Sequence, residues 1–179
     1  MFRRVLRLAA AAVVAGALAT GCTGSPAPTP STPTPLSDDE AFAAAEATYR
    51  AYVDALNQVD LSDPETFEPV YALTTGDANA NERQSLSTMS ADGWSVAGAT
   101  KVLAFKGESV NKANREDLRL TAVACTDVSE VSVVDQNGVS VVPSDRPSRY
   151  ALRLTFEGSL DRLLISSSNA IREPSCVGS

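Results

Sequence analysis

Apolar residues recur every three or four positions between residues 37 and 58 and about every second position after residue 94, so the chain changes period once along its length. In the first stretch Phe42, Ala45, Tyr49, Tyr52, Val53 and Leu56 fall on one stripe, which predicts a long amphipathic helix. Ser37 and Glu40 have the spacing of a capping box at its start, and Asp38, Asp39 and Glu40 set negative charge against the positive end of the helix dipole. Asp63-Pro64 predicts a second, shorter helix that Pro69 kinks or curtails, with Phe67, Val70, Tyr71 and Leu73 on its apolar face. Residues 79–91 predict a third, more polar helix from which only Leu86 and Met89 clearly point inward, and Asp92-Gly93 marks its exit.

Beyond Gly93 the pattern predicts strands near residues 94–98, 100–110, 117–128, 131–134, 140–142, 148–157 and 162–168. Alternation is clearest where Tyr150, Leu152, Leu154 and Phe156 interleave with Ala151, Arg153 and Thr155, the signature of a half-buried strand. Asp135-Gln136-Asn137-Gly138 supplies turn residues between two Val-rich runs and predicts a hairpin. Helices followed by strands define an α+β fold: a long N-terminal helix and short helices packed on a curved antiparallel sheet.

The first 36 residues follow a different rule. Arg3, Arg4 and Arg7 precede an apolar run over residues 8–19 and then small residues, the layout of a secretory signal over residues 1–21. The run is about a dozen residues, whereas a membrane-spanning helix needs roughly 20. Its end, Leu18-Ala19-Thr20-Gly21-Cys22, resembles the lipobox of bacterial lipoproteins, with Ala19 where Leu is more usual. That resemblance implies cleavage before Cys22 and attachment of lipid to it. Residues 22–36 then form a linker that carries five of the ten prolines, at 26, 28, 30, 33 and 35, and no charge. Such a segment builds no core: as polyproline II it spans roughly 40 Å at about 3.1 Å per residue, and the alternative is a merely flexible tether. The folded domain is expected over residues 37–179. Arg3-Arg4 leaves open whether export is by the general or the twin-arginine route.

Loss of residues 1–21 removes three arginines and leaves 12 basic against 22 acidic residues, a net of −10. An acidic surface argues against nucleic acid and against electrostatic adhesion to anionic lipid, both of which rely on Lys/Arg clusters. The membrane partner is therefore reached through acyl chains, each buried methylene contributing about 0.8 kcal/mol. The implied location is the outer face of the cell membrane.

Histidine is absent, which removes Ser-His-Asp and Cys-His nucleophilic schemes and the usual zinc and copper ligand sets. The sequence offers no catalytic, cofactor-binding or metal-ligating set. Asp38, Asp39, Glu40, Asp60, Asp63 and Glu65 read as helix-start and loop charges. Asp135-x-Asn137-Gly138 is a fragment of a calcium-loop pattern that lacks the remaining ligands. Lys101, Lys106, Lys112, Arg115 and Arg119 are dispersed and read as a solvated sheet edge or face.

The element order, with the stretches AEATYRAYVDALN, DPETFEPVYALTTGDA, CTDVSEVSVVDQNGVSVV and the terminal REPSC, resembles small actinobacterial lipoproteins with a nuclear transport factor 2-like domain. This fold is also called cystatin-like or SnoaL-like. The likeness covers about residues 37–178 and rests on element order and soft patterns. It implies a cone that encloses a small apolar ligand or docks a protein on its sheet face, with Phe42, Tyr49, Trp94, Phe105 and Tyr150 as candidate walls. Some members of the superfamily are isomerases and cyclases that use an Asp with a Tyr inside the cone, a pair that no position here matches. With Cys22 acylated, Cys125 and Cys176 are left outside the membrane, where pairing is expected. Three functions follow: a non-enzymatic module that binds an envelope protein or a small apolar ligand, an Asp/Tyr isomerase-like enzyme, or a structural subunit of an envelope or secretion assembly.

Overall fold

A computed structural model describes residues 36–173 and Cys176, apart from the side chain of Ala113. The signal, Cys22 and the linker up to Pro35 lie outside the described residues. Leu36, which the sequence assigns to the linker, is buried and belongs to the core.

Helix α1 spans Asp38–Leu56. Its first turn carries the capping box: the Glu40 amide donates to Ser37 Oγ at 3.1 Å and the Ser37 amide donates to Glu40 Oε2 at 3.0 Å. These bonds satisfy two of the donors that a helix start leaves unpaired. Lys112 secures the same end, its Nζ donating to the Leu36 carbonyl at 2.6 Å and to Asp38 Oδ1 at 2.7 Å. Asp63 caps a 3-10 turn, Pro64–Phe67, which runs directly into α2, Glu68–Ala72. Pro69 falls in the first turn of α2, where its missing N–H leaves no ladder bond unmade. Helix α3, Gly76–Ala91, begins three residues earlier than the sequence predicts.

The strands are β1, Ser95–Ala97; β2, Lys101–Asn114; β3, Asp117–Asp127; β4, Ser132–Val134; β5, Arg149–Ser159; and β6, Arg162–Ile171. The main sheet is antiparallel in the order β2-β3-β5-β6, and β1 pairs with β4 in a separate two-stranded sheet. The predicted strand at 140–142 does not form. Val134 and Ser140 make an isolated bridge, because β4 spends its ladder on β1 and Pro143 stops the run. The turn at Asp135 is present, with Oδ1 accepting from the amides of Asn137 and Val139 at 2.8 and 2.9 Å.

Three register shifts bend β2 and let the sheet curve around α1. One of them lies beside Gly107, against which the Phe42 ring rests; a Cβ there would stand 2.3 Å from that ring. Helix α1 lies across β2, β3 and β6, and α3 lies against β6. Between α1 and the sheet sits the larger core, built on Tyr49, Leu118, Leu120, Leu154, Phe156 and Ile165. A smaller cluster of Ala55, Leu61, Phe67, Val70, Tyr71 and Leu86 lies among the helices. No helix of the described residues is long and apolar enough to cross a membrane.

Candidate functional site

Five aromatics were candidates for the walls of one pocket, and the structure distributes them. Phe42, Tyr49 and Phe105 meet in the larger core. The Tyr49 and Phe105 rings lie 6.2 Å apart, Phe105 meets Phe156 edge-on at 6.2 Å, and Tyr49 is 1% exposed. Trp94 packs instead on the smaller cluster, and Tyr150 sits half-buried in β5 opposite Thr126. None of the three described cavities is lined by any of the five. Phe42, Tyr49 and Phe105 thus belong to the packing between α1 and the sheet.

A carboxylate and a tyrosine do come together, at positions the sequence reading did not pair. Tyr52 Oη donates to Glu82 Oε1 across the α1–α3 seam. The Tyr52 ring stacks on Tyr49 at 6.0 Å and touches both hydrophobic clusters. Burial raises the Tyr52 hydroxyl far above its ordinary pKa, and the Glu82 charge adds to the shift. Burial likewise lifts the Glu82 carboxyl, while the bond from Tyr52 pulls it back.

One turn earlier on α3, the Asn79 amide donates to the Tyr71 carbonyl and to Thr74 Oγ1, both at 2.9 Å. Arg83 Nε donates to Asn79 Oδ1 at 3.0 Å, and its guanidinium lies 4.0 Å from the centre of the Tyr71 ring. Asn79, Glu82, Arg83 and Leu86 follow the three-and-four spacing of one helix face. That spacing was the available signal: a face with polar groups at those positions needs partners inside the fold.

The described cavities are open troughs. One of about 440 Å³ lies between α1 and α2 and includes Ala51, Asp54, Ala55, Pro69 and Leu73. A second, about 340 Å³, continues past Leu73 between α1 and the β5–β6 turn. A third, about 210 Å³, lies among the end of α1, α3 and the two-stranded sheet, with Val96 and Val133 on its rim. Tyr52 and Glu82 line none of the three. Among the described residues no group of three or more His, Cys, Asp and Glu side chains is placed to hold a metal ion. The Tyr52–Glu82 pair is turned into the packing between α1 and α3.

Cys125 of β3 is joined to Cys176, with 5.5 Å between Cα atoms, which fastens Cys176 to a central strand. Gly98, at φ +86°, lets the backbone after β1 approach the Glu130 carbonyl, where a Cβ would stand only 1.9 Å away.

The described body is an α+β domain with helices packed on a curved antiparallel sheet, the architecture that the nuclear transport factor 2-like resemblance implies. No family model matches the chain, and no curated protein matches it. Among solved structures it is similar to the intermembrane space region of the chloroplast protein ARC6. The identity is 14%, with 78% of this chain and all of that chain covered, at a TM-score of 0.52. At that identity the likeness is one of fold. The VirB8 protein of Agrobacterium tumefaciens aligns over 79% of this chain and 98% of its own at 12% identity, with a TM-score of 0.35 on which nothing rests.

Proposed function

We propose that this chain is an extracytoplasmic interaction module, anchored through lipid on Cys22, spaced from the membrane by its proline-rich linker, and docking a protein of the cell envelope. The observation that carries this reading is the filled interior. Phe105 packs between Tyr49 and Phe156 beneath α1, and the described cavities are open troughs on the outside. The absence of histidine from the whole sequence agrees with it. So does the fold likeness to a region of ARC6 that its name places in an intermembrane space. Service as a subunit of an envelope assembly is the same reading with a permanent partner.

The enzymatic alternative has one observation in its favour, the Tyr52–Glu82 pair. General acid/base work requires such a pair to reach a bound substrate, and neither residue borders a described cavity.

Cys22→Ser should move the protein from the membrane to the soluble fraction with its fold intact. Photocrosslinking residues placed around the domain of the wild-type chain should capture an envelope protein in living cells. A Cys22→Ser protein that stays membrane-bound at full length overturns the anchor, and a domain that crosslinks to nothing from any face overturns the docking role.

A further inference from the structure

The two troughs that share Leu73 follow α1 end to end, and most of their lining lies in the acidic half of the chain. Their floor is Ala44, Ala47, Ala51 and Ala55, and their far wall is Pro69, Ala72, Leu73 and the β5–β6 turn. From residue 44 to the end of the helix at Leu56 the channel follows α1 for roughly 18 Å at about 1.5 Å per residue. Small side chains at three- and four-residue steps leave grooves that accept the side-chain ridges of a facing helix. The walls are mostly helical, with backbone groups bonded internally, so an incoming strand would find little ladder to extend along α1.

Charge identifies the occupant. Residues 36–92 carry 12 acidic and 2 basic side chains, whereas residues 93–179 carry 10 of each. Both basic residues of the helical layer are engaged: Arg50 pairs with Glu46 at 2.7 Å, and Arg83 lies over Tyr71. Asp54 lines the channel, and Glu65 and Glu68 stand beside its lining residues Thr66 and Pro69. All three are exposed, and none has an ion-pair partner among the described residues. The far end carries Arg162 beside Asp161.

We infer that this channel docks a cationic amphipathic helix of a partner protein, its apolar ridge on the alanine floor and its Lys/Arg side chains on Asp54, Glu65 and Glu68. A second copy of this chain would bring the same negative face, and an anionic lipid surface would be repelled. The inference rests on the interaction-module reading and names its surface and the chemistry of its partner.

The probe is a synthetic 18-residue amphipathic helix with lysines flanking an Ala/Leu ridge, titrated against the full-length chain and followed by anisotropy and amide shifts. Binding should weaken at least tenfold in the Asp54→Asn/Glu65→Gln/Glu68→Gln variant and be lost in Ala51→Trp, whose side chain fills the channel. Asp92→Asn should leave it unchanged, and the same peptide with glutamates for lysines should not bind. Binding that survives both channel variants, shifts that map to the Val96–Val133 groove, or no binding at all overturns the inference. So does self-association of the chain, measured by sedimentation, that Ala51→Trp abolishes. In each of these cases crosslinks to an envelope protein from other faces would still stand, so the broader reading fails only on its own test.

Discussion

The two hydrophobic clusters use similar residues to different ends. In the larger one α1 closes over the sheet, Phe105 meets Phe156 edge to face, and Leu118, Leu120, Leu154 and Phe156 are each at or below 1% exposed. In the smaller one, short helices meet around Phe67 and Tyr71, with half-buried Trp94 and Met89 at the margin and open troughs alongside. A closed cluster cannot relax around a lost side chain, whereas a cluster with open margins can. The first therefore holds the fold, and the second shapes the surface that the fold presents.

The largest expected effect tests that contrast directly. Phe156→Ala should destabilise by about 3–5 kcal/mol, and Phe67→Ala should fall at or below the low end of that range because its surroundings collapse inward. Denaturant midpoints for the two variants decide the matter, and a Phe67→Ala cost equal to that of Phe156→Ala would remove the distinction.

Next in size is the covalent link between Cys125 and Cys176, at a sequence separation of 51. Loop entropy assigns it up to about 4 kcal/mol, so reduction should lower the denaturation midpoint markedly. Alkylation and intact mass with and without reductant check the pairing, and two free thiols in the native protein would contradict it.

The smallest effect lies where the clusters meet, at Tyr52 and Glu82. Tyr52→Phe leaves the Glu82 carboxylate half-buried without its donor, a loss of about 1–3 kcal/mol. Glu82→Gln keeps an acceptor and removes the buried charge, so at neutral pH it should be close to neutral or mildly stabilising. Burial raises the Glu82 carboxyl in the folded state. Its contribution is then fully present below the unfolded value near 4.5 and lost as pH rises through the higher folded value. On acidification from neutral pH to 4.5, wild type should therefore gain stability relative to Glu82→Gln. A constant difference between the two across that window would show that the pair does not couple to protons.

Local chemistry was the most legible part of the chain. The capping box at Ser37 and Glu40, the cap at Asp63 and the alternation that buries Leu154 and Phe156 each depend on a few neighbouring residues, and each is present. Where two local patterns compete, reading the sequence does less well. The Val-rich run after Asn137 has strand composition, but Val139 is 60% exposed and β4 already pairs with β1. Contacts made by packing were not legible at all. Tyr52 and Glu82 are thirty residues apart, and only the way α3 settles against α1 makes them partners. The channel beside Leu73 likewise comes from three separate segments, and its alanine floor reads in the sequence as ordinary helix composition.

Lys112 holds the Leu36 carbonyl and Asp38 at the point where the linker meets the domain, and this has a mechanical consequence. If the proposed anchor and docked partner hold, a pull between them would reach the described residues at Leu36 and pass at once into β2. Arg115 braces the same turn through Glu40, at 3.4 Å. Tension would thus be shared between helix and sheet from the first folded residue, and the helix would resist being peeled from its end. Lys112→Ala should accordingly lower the force at which the domain yields when pulled from its N-terminus, while changing its resistance to denaturant far less.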